Sequence, residues 1–178
     1  ANPQVDVSLV TSERNHNMLR SDIDVAVLFG EGRFKQGESH WLFSEEVFPV
    51  CSPLLLGARQ TLSAAEIARL PLLQQSTRPY AWRQWFNKQG LNMPQDLNGP
   101  RYELFSMLAQ AASHAMGVAL IPPFLIEREL SDGRLKIASP QCVPTDKGYY
   151  LIIPERTVES AALRCFRDWV CEAARSYL

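Results

Sequence analysis

Cysteine, histidine and net charge are all low in this sequence, and each shortage excludes a class of protein. The four cysteines among 178 residues form no C-x-x-C pair. Three of them lie in strongly apolar stretches, so we expect reduced, buried thiols rather than disulfides. The three histidines have no second ligand at metal-binding spacing. The sequence therefore predicts no metal site.

A surplus of positive charge is also missing. The 18 Lys and Arg residues are balanced by 19 Asp and Glu, for a net charge of −1, whereas binding to the phosphates of a nucleic acid requires a basic stripe. The longest apolar run, residues 118–126, contains two prolines and is too short to span a bilayer. No signal peptide opens the chain. We expect this chain to contact neither DNA nor a membrane by itself.

Nucleotide-binding and hydrolase motifs are missing as well. Gly30 and Gly32 follow a predicted strand, as in a dinucleotide fingerprint, but Lys35 occupies the place of the third glycine, which favours a plain turn. Neither a P-loop nor a G-x-S-x-G elbow is found. A serine hydrolase assembled from distant residues would leave no such motif, although nothing in the sequence points to one. We predict no cofactor and no catalytic activity.

What is present is an alternation of predicted strands and helices, which is typical of an α/β protein with mainly parallel sheets. Val5, Val7 and Leu9 alternate with polar residues and predict a strand with one buried face. The nearly continuous apolar run 23–29 predicts a strand that is covered on both faces. The other predicted strands are 41–51, 72–75, 118–121 and 149–153.

The helices are marked by caps and by apolar stripes. Ser63 and Glu66 have the spacing of a capping box, and Leu62 and Ile67 that of a hydrophobic staple. The aromatic trio Trp82, Trp85 and Phe86 marks one face of a helix; we interpret it as a core face rather than a ligand platform. Gly90 ends this aromatic helix. A further helix is predicted from the apolar stripe Leu104, Leu108, Ala111 and Ala115, and it is ended by Gly117. Another is predicted at the C-terminus from the stripe Leu163, Phe166, Val170, Ala173 and Tyr177.

Several segments together resemble the effector-binding domain of LysR-type transcriptional regulators. They are residues 21–32, which end in a glycine pair, the stretch 43–53, and the helix-to-strand unit 101–105 with 117–122. Residues 78–82 and the Trp85–Phe86 pair narrow the resemblance towards the branch of glycine-cleavage activators and β-lactamase regulators. The order and spacing of these segments carry the resemblance, which covers nearly the whole chain.

This resemblance implies two Rossmann-like α/β lobes joined by two crossing strands, as in type 2 periplasmic binding proteins. Lobe I would comprise residues 1–50 and 149–178, without the family's first strand and helix, and lobe II residues 51–148. It further implies a cytoplasmic regulator that forms a homodimer or homotetramer and contacts DNA only through a helix-turn-helix domain missing from this sequence. A solute-binding protein of the same fold is the alternative, because fold alone does not determine function.

In this family a small effector binds in the cleft between the lobes, so the resemblance also implies effector-binding residues. They are Thr11, Ser12, Leu28, Phe29, Ser76, Thr77, Phe105, Ser106 and Tyr149. Plainer interpretations stay open: a turn cap for the first pair, core packing for Leu28 and Phe29, and packing for Tyr149. Hydroxyls beside a helix start suit a carboxylate, so we expect an anionic or zwitterionic effector.

Overall fold

The computed structural model describes residues 5–11, 23–34 and 37–177. The chain forms two compact units, Ala1–Glu45 with Thr145–Leu178, and Glu46–Pro144. We call them unit 1 and unit 2. The strands and helices are β1 (Ala26–Gly30), β2 (Gly37–Cys51), α1 (Pro53–Leu56), α2 (Ala64–Ile67), β3 (Leu72–Gln75), α3 (Ala81–Lys88), β4 (Arg101–Tyr102), α4 (Phe105–Ser113), β5 (Val118–Ile121), α5 (Glu127–Ser131), β6 (Lys136–Ile137), β7 (Val143–Pro154) and α6 (Ala161–Ala174).

Unit 2 is built on a sheet in which β3 is the parallel neighbour of both β4 and β5. The final residues of β2 pair antiparallel with β5 and with β6. All four residues of β3 and all four of β5 are buried. Both strands therefore have helices or loops on each face, which is the environment typical of a central parallel strand.

The two faces of this sheet support two separate hydrophobic clusters. Side chains alternate along a strand, and along β5 Val118 packs on one face while Ala119 packs on the other. On the first face lie the three aromatic rings of α3, which are at most 1% exposed. The second face is covered mainly by α4, through Leu108, Ala109 and Ala112. Unit 2 is thus a three-layer α/β/α sandwich.

The aromatic trio of α3 is the densest part of the first cluster. The ring centroids of Trp82 and Phe86 are 5.5 Å apart, and Trp85 contacts both rings edge-on. The indole N–H of Trp82 donates to the carbonyl of Leu73 at 3.0 Å, so the helix is also tied to the sheet. Burial stabilises the fold by roughly 1.5–3 kcal/mol for a side chain the size of Phe. The prediction of a core face is confirmed.

The capping box predicted at Ser63 is also confirmed. The Ser63 hydroxyl accepts a hydrogen bond from the amide of Glu66, and the Glu66 carboxylate accepts one from the amide of Ser63. The flanking residues Leu62 and Ile67 are both buried in the first cluster. Hydrogen bonds from Ser63 and from Arg59 lower the pKa of Glu66 from 4.5 to about 2. The helix that follows is short and ends at Ile67.

Unit 1 contains β1, paired antiparallel with β7, and the C-terminal helix α6. Ser160 caps α6 by accepting from the amide of Leu163 at 3.1 Å. The apolar side of α6 joins the cluster formed by Leu42, Leu151 and Ala174, to which Val25 and Phe166 also belong. Phe166 of α6 and Val25, which precedes β1, therefore lie within one hydrophobic cluster.

Three expectations about strands are wrong. Residues 5–10 form no strand, and Val7 and Leu9 are 55% and 89% exposed. An alternating pattern identifies a face but supplies no pairing partner. The predicted strand 23–29 begins only at Ala26 and is not covered on both faces, since Val27 is 56% exposed. The described sheet is mixed rather than mainly parallel, because both long strands, β2 and β7, pair antiparallel with their neighbours.

Two helix details also differ from expectation. The helix α4 ends at Ser113, four residues before Gly117, and Ala115 adopts the left-handed conformation at a φ of 58°. Gly117 is instead required by the close approach of the Pro71 carbonyl, which a Cβ would overlap. In α6 the buried stripe reaches Ala174, whereas Ala173 is exposed. A pattern of 3.6 residues per turn leaves this one-residue ambiguity when both residues are alanine.

Candidate functional site

The predicted site residues of unit 2 gather where the parallel strands β3 and β4 end. Gln75 and Tyr102 are partners in register, and the next amide, that of Ser76, donates to the Tyr102 carbonyl at 2.9 Å. The turn that carries Ser76 and Thr77 therefore lies beside the segment leading into Phe105. The carboxyl ends of strands are the usual location of ligand sites in open α/β sheets. The structure brings these two parts of the predicted site together.

A buried glutamine holds both parts in place. Gln75 is 6% exposed. Its side-chain oxygen accepts from the amide of Thr77 at 2.9 Å, and its side-chain nitrogen donates to the Glu103 carbonyl at 3.0 Å. One side chain thus fixes the turn after β3 and the turn before α4. No role for Gln75 was predicted from the sequence, although the polar pair at the end of the buried strand Leu-Leu-Gln-Gln was the available signal.

Arg78 places a positive charge at the same location. A guanidinium nitrogen donates to the Thr77 hydroxyl oxygen at 2.8 Å and to the Thr77 carbonyl at 3.3 Å. The central guanidinium carbon lies 5.8 Å from the centre of the Phe105 ring, within cation–π range. Because the Thr77 oxygen accepts from Arg78, its hydroxyl hydrogen points to a different partner. The arrangement presents hydrogen-bond donors and one fixed cation.

The start of α4 adds further donors. Its N-cap residue, Leu104, supplies no side-chain hydrogen bond to the first turn. The first amides of a helix have no intrahelical acceptor and carry a partial positive charge. Ser106, in this first turn, is exposed. Together with Arg78 and the Thr77 hydroxyl, this end of α4 is suited to an anionic group.

The predicted residues of unit 1 form a second group, around Tyr149. Phe29 on β1 is the in-register partner of Tyr149 on β7, and the two ring centroids are 5.4 Å apart. The ring of Phe43 also packs against Tyr149, at a centroid distance of 5.2 Å. The Tyr149 hydroxyl donates to the Glu45 carboxylate at 2.5 Å, and Glu45 is only 1% exposed. Glu45 was not predicted from the sequence, although it alternates inward along β2 with buried Val47.

Three other predicted residues are not part of these two groups. Leu28 is paired in register with Tyr150 and, as the strand neighbour of Phe29, lies on the opposite face of β1. Thr11 is exposed at the end of the irregular segment 5–11. Ser12 lies outside the described residues. The geometry therefore collects six of the predicted residues into two groups, Ser76, Thr77, Phe105 and Ser106 in unit 2, and Phe29 and Tyr149 in unit 1.

Neither group resembles a metal centre. Within residues 5–11, 23–34 and 37–177, no three His, Cys, Asp or Glu side chains are close enough together to hold a metal ion. No helix in this part of the chain has the length and hydropathy needed to cross a bilayer. Burial raises the pKa of the Cys51 thiol to about 11, so this cysteine is not an activated nucleophile.

A donor-rich turn at the ends of parallel strands, on an α/β scaffold, is the arrangement typical of ligand-binding α/β proteins. The family can be stated more closely. The chain belongs to the LysR substrate binding domain family, whose model matches residues 1–175. The resemblance inferred from the sequence and the predicted fold class are confirmed.

Individual relatives agree with this membership. The chain is 31% identical over 175 residues to the glycine cleavage system transcriptional activator of Escherichia coli K12, which covers 98% of this chain and 57% of that protein. It is 31% identical over 171 residues to the transcriptional activator AmpR of Rhodobacter capsulatus, covering 96% of this chain and 57% of that protein. The chain thus spans a little over half the length of these relatives.

Solved structures show the same fold. The effector domain of AmpR from Pseudomonas aeruginosa is 26% identical and has a TM-score of 0.76, covering 87% of this chain and 73% of that domain. The regulatory domain of CrgA from Neisseria meningitidis is 20% identical with a TM-score of 0.77, covering 97% of this chain and 85% of that domain. At 20% identity, the second match is evidence for the fold alone.

Proposed function

We propose that this chain is the effector-sensing domain of a LysR-type transcriptional regulator. It would bind a small molecule and modulate transcription through a helix-turn-helix domain elsewhere in the full-length protein. The carrying observation is the match of the family model to residues 1–175, together with the donor-rich turn at the ends of β3 and β4. Relatives that are transcriptional activators favour this proposal over a solute-binding protein of the same fold.

The proposal includes a specific set of contacts in unit 2. The hydroxyls of Ser76, Thr77 and Ser106 and the first amides of α4 would donate to a carboxylate, with the charge of Arg78 beside them. The Phe105 ring would supply an apolar wall, the usual complement to a few fixed polar groups. Hydrogen bonds to a charged group are typically worth about 1.5–3 kcal/mol each. This chemistry favours an anionic or zwitterionic effector.

In unit 1 the proposal assigns an apolar wall to Phe29 and a hydroxyl to Tyr149, both in the aromatic group described above. Leu28, Thr11 and Ser12 remain predictions from the sequence. The effector domain of Citrobacter freundii AmpR has been solved with a threonine, a serine and a tyrosine each replaced by a residue without a hydroxyl. That serine and tyrosine are separated by as many positions as Ser106 and Tyr149, which suggests the same pair of changes as a test.

The remaining parts of the proposal concern the whole protein. We propose that it acts in the cytoplasm as a homodimer or homotetramer and contacts DNA only through its helix-turn-helix domain. We also propose that it has no enzymatic activity. The support is that the relatives are transcriptional regulators.

A thermal-shift screen of carboxylates and amino acids against the full-length protein tests the binding role. A ligand present at one hundred times its dissociation constant should stabilise the protein by about 2.7 kcal/mol. Thr77→Val should then weaken binding of the hit about 10-fold or more, since it removes one hydrogen bond to a charged group. The control is Thr61→Val, at another exposed threonine of unit 2. Equal affinity in Thr77→Val, Ser106→Ala and the wild type would refute this site.

A further inference from the structure

Glu45 is a buried carboxylate that takes no part in the effector contacts proposed above. It lies in β2 with 1% of its surface exposed. Burying a carboxylate is costly unless hydrogen bonds satisfy it. The phenol of Tyr149 donates to it across 2.5 Å, the length of a strong charge-assisted hydrogen bond. Glu45 therefore fixes where the hydroxyl hydrogen of Tyr149 points.

This bond determines whether the Tyr149 hydroxyl acts as a hydrogen-bond donor or as an acceptor towards any other partner. A phenol has a single hydrogen, and once that hydrogen is given to Glu45, the oxygen acts towards a further group only as an acceptor. The ring itself contacts both Phe29 and Phe43, with centroid distances of 5.4 Å and 5.2 Å. These contacts set both the position of the phenol oxygen and its role as an acceptor before a ligand binds.

We infer that the effector carries a hydrogen-bond donor, an ammonium or an amide N–H, at the end that meets Tyr149, and that Glu45 is the positioning residue that imposes this requirement. The inference rests on the proposed role of Tyr149 in effector binding. A carboxylate oxygen at the same place would face the lone pairs of the phenol and be repelled. Added to the anionic or zwitterionic character already proposed for the effector, this requirement favours zwitterions such as amino acids.

Matched pairs of probes test the inference directly. Calorimetry on the full-length protein would compare glycine with acetate, alanine with propionate, and glutamate with glutarate; each pair differs by the amino group. For the pair that binds most tightly, we expect the amino acid to bind about 10- to 100-fold more tightly than its deaminated partner. This is the range for one hydrogen bond to a charged group.

Two variants separate the roles of the acid and the phenol. In Glu45→Gln the amide can donate to the phenol oxygen, which turns the phenol hydrogen towards the ligand, so the preference for the amino acid should fall to about 3-fold or less. In Tyr149→Phe the acceptor is lost, and the preference should fall while the deaminated probe keeps its affinity. The control is Glu46→Gln, the exposed neighbour on the same strand, which should keep the full preference.

Each other outcome overturns a defined part of the reasoning. Deaminated probes that bind the wild type as tightly as the amino acids would refute the donor requirement and leave the proposed function intact. A preference that survives in Glu45→Gln but disappears in Tyr149→Phe would refute the role of Glu45. If Glu45→Gln fails to fold, Tyr149→Phe still tests the acceptor. If no small molecule binds the full-length protein, the proposed function itself fails.

Discussion

Gly99, which lies beside the start of β3, is a residue at which a single added methyl group should strongly destabilise unit 2. Its φ is +116°, and a Cβ there would overlap the carbonyl oxygen of Leu72 in β3. The chain cannot easily move away, because the amide of Gln74 donates to the next carbonyl, that of Pro100, at 2.9 Å. Gly90 is a matched control, with a φ of +69° and no atom within 4 Å of the position that a Cβ would take.

The expected magnitudes follow from these two geometries. In Gly90→Ala only left-handed backbone strain is added, about 1 kcal/mol. In Gly99→Ala the strain of a sparsely populated φ, about 1–3 kcal/mol, is joined by an overlap that costs about 1–3 kcal/mol more. We therefore expect Gly99→Ala to lower the free energy of unfolding by about 4 kcal/mol. That is a large share of the roughly 5–15 kcal/mol that stabilises a typical protein.

Urea unfolding followed by tryptophan fluorescence measures the difference. Trp82 and Trp85 are fully buried in unit 2, whereas the other two tryptophans are exposed, so the signal reports mainly on the unit that contains both glycines. If Gly99→Ala and Gly90→Ala differ by less than about 0.5 kcal/mol, well below the overlap cost, then the loop relaxes around the new methyl group and the reasoning is wrong.

Three more predictions follow from charge and burial. Cys51, whose pKa is raised to about 11, should react with a thiol reagent at neutral pH only after unfolding; labelling of Cys51 in the native protein, read by mass spectrometry, would contradict this. The pKa of Glu66 in the folded protein is about 2, against an ordinary 4.5, so its stabilising effect is complete above about pH 5 and is lost as the pH falls towards 2. The urea midpoint should therefore depend less on pH in Glu66→Gln than in the wild type. An equal pH dependence of the midpoint in both proteins would refute the lowered pKa of Glu66. This chain alone, with a net charge of −1, should not shift a duplex DNA probe at micromolar concentration, and a salt-sensitive shift would contradict that.

Local sequence signals predicted unit 2 well because both faces of its sheet are covered. The capping box at Ser63 and the aromatic face of α3 depend on contacts a few residues apart, which a sequence records directly. In unit 1 the same kind of pattern misled. Val27 belongs to an apolar run, yet it is 56% exposed, because polarity alone does not state whether a second layer covers a strand. The pairing direction of β1 likewise depends on β7, more than one hundred residues away.

The candidate site was likewise predictable only in part. Ser76 and Thr77 follow a buried strand, so their place at its carboxyl end was predictable from the sequence. The residues that fix the site were not, since Gln75 acts on a carbonyl 28 positions away and Glu45 on a hydroxyl 104 positions away. Buried polar side chains of this kind are identified by their partners, and a sequence gives the partners only once the fold is known.

The side chains that hold the site in place lower the free-energy cost of binding an effector. Ordering a rotamer-rich side chain during binding costs about 0.5–1.5 kcal/mol, and this cost is absent for groups that Gln75, Glu45 and the Phe105 ring already hold in place. An effector changes the state of its protein only through a difference in affinity between two states, and a 100-fold difference corresponds to about 2.8 kcal/mol. One or two charge-assisted hydrogen bonds, at about 1.5–3 kcal/mol each, supply that difference. If they are made in only one state of the full-length protein, no larger rearrangement within either unit is required. Gln75→Leu should therefore weaken effector binding by about 2- to 12-fold, the equivalent of about 0.5–1.5 kcal/mol, even though Gln75 is buried. Unchanged affinity in Gln75→Leu would show that preordering of the turn contributes nothing.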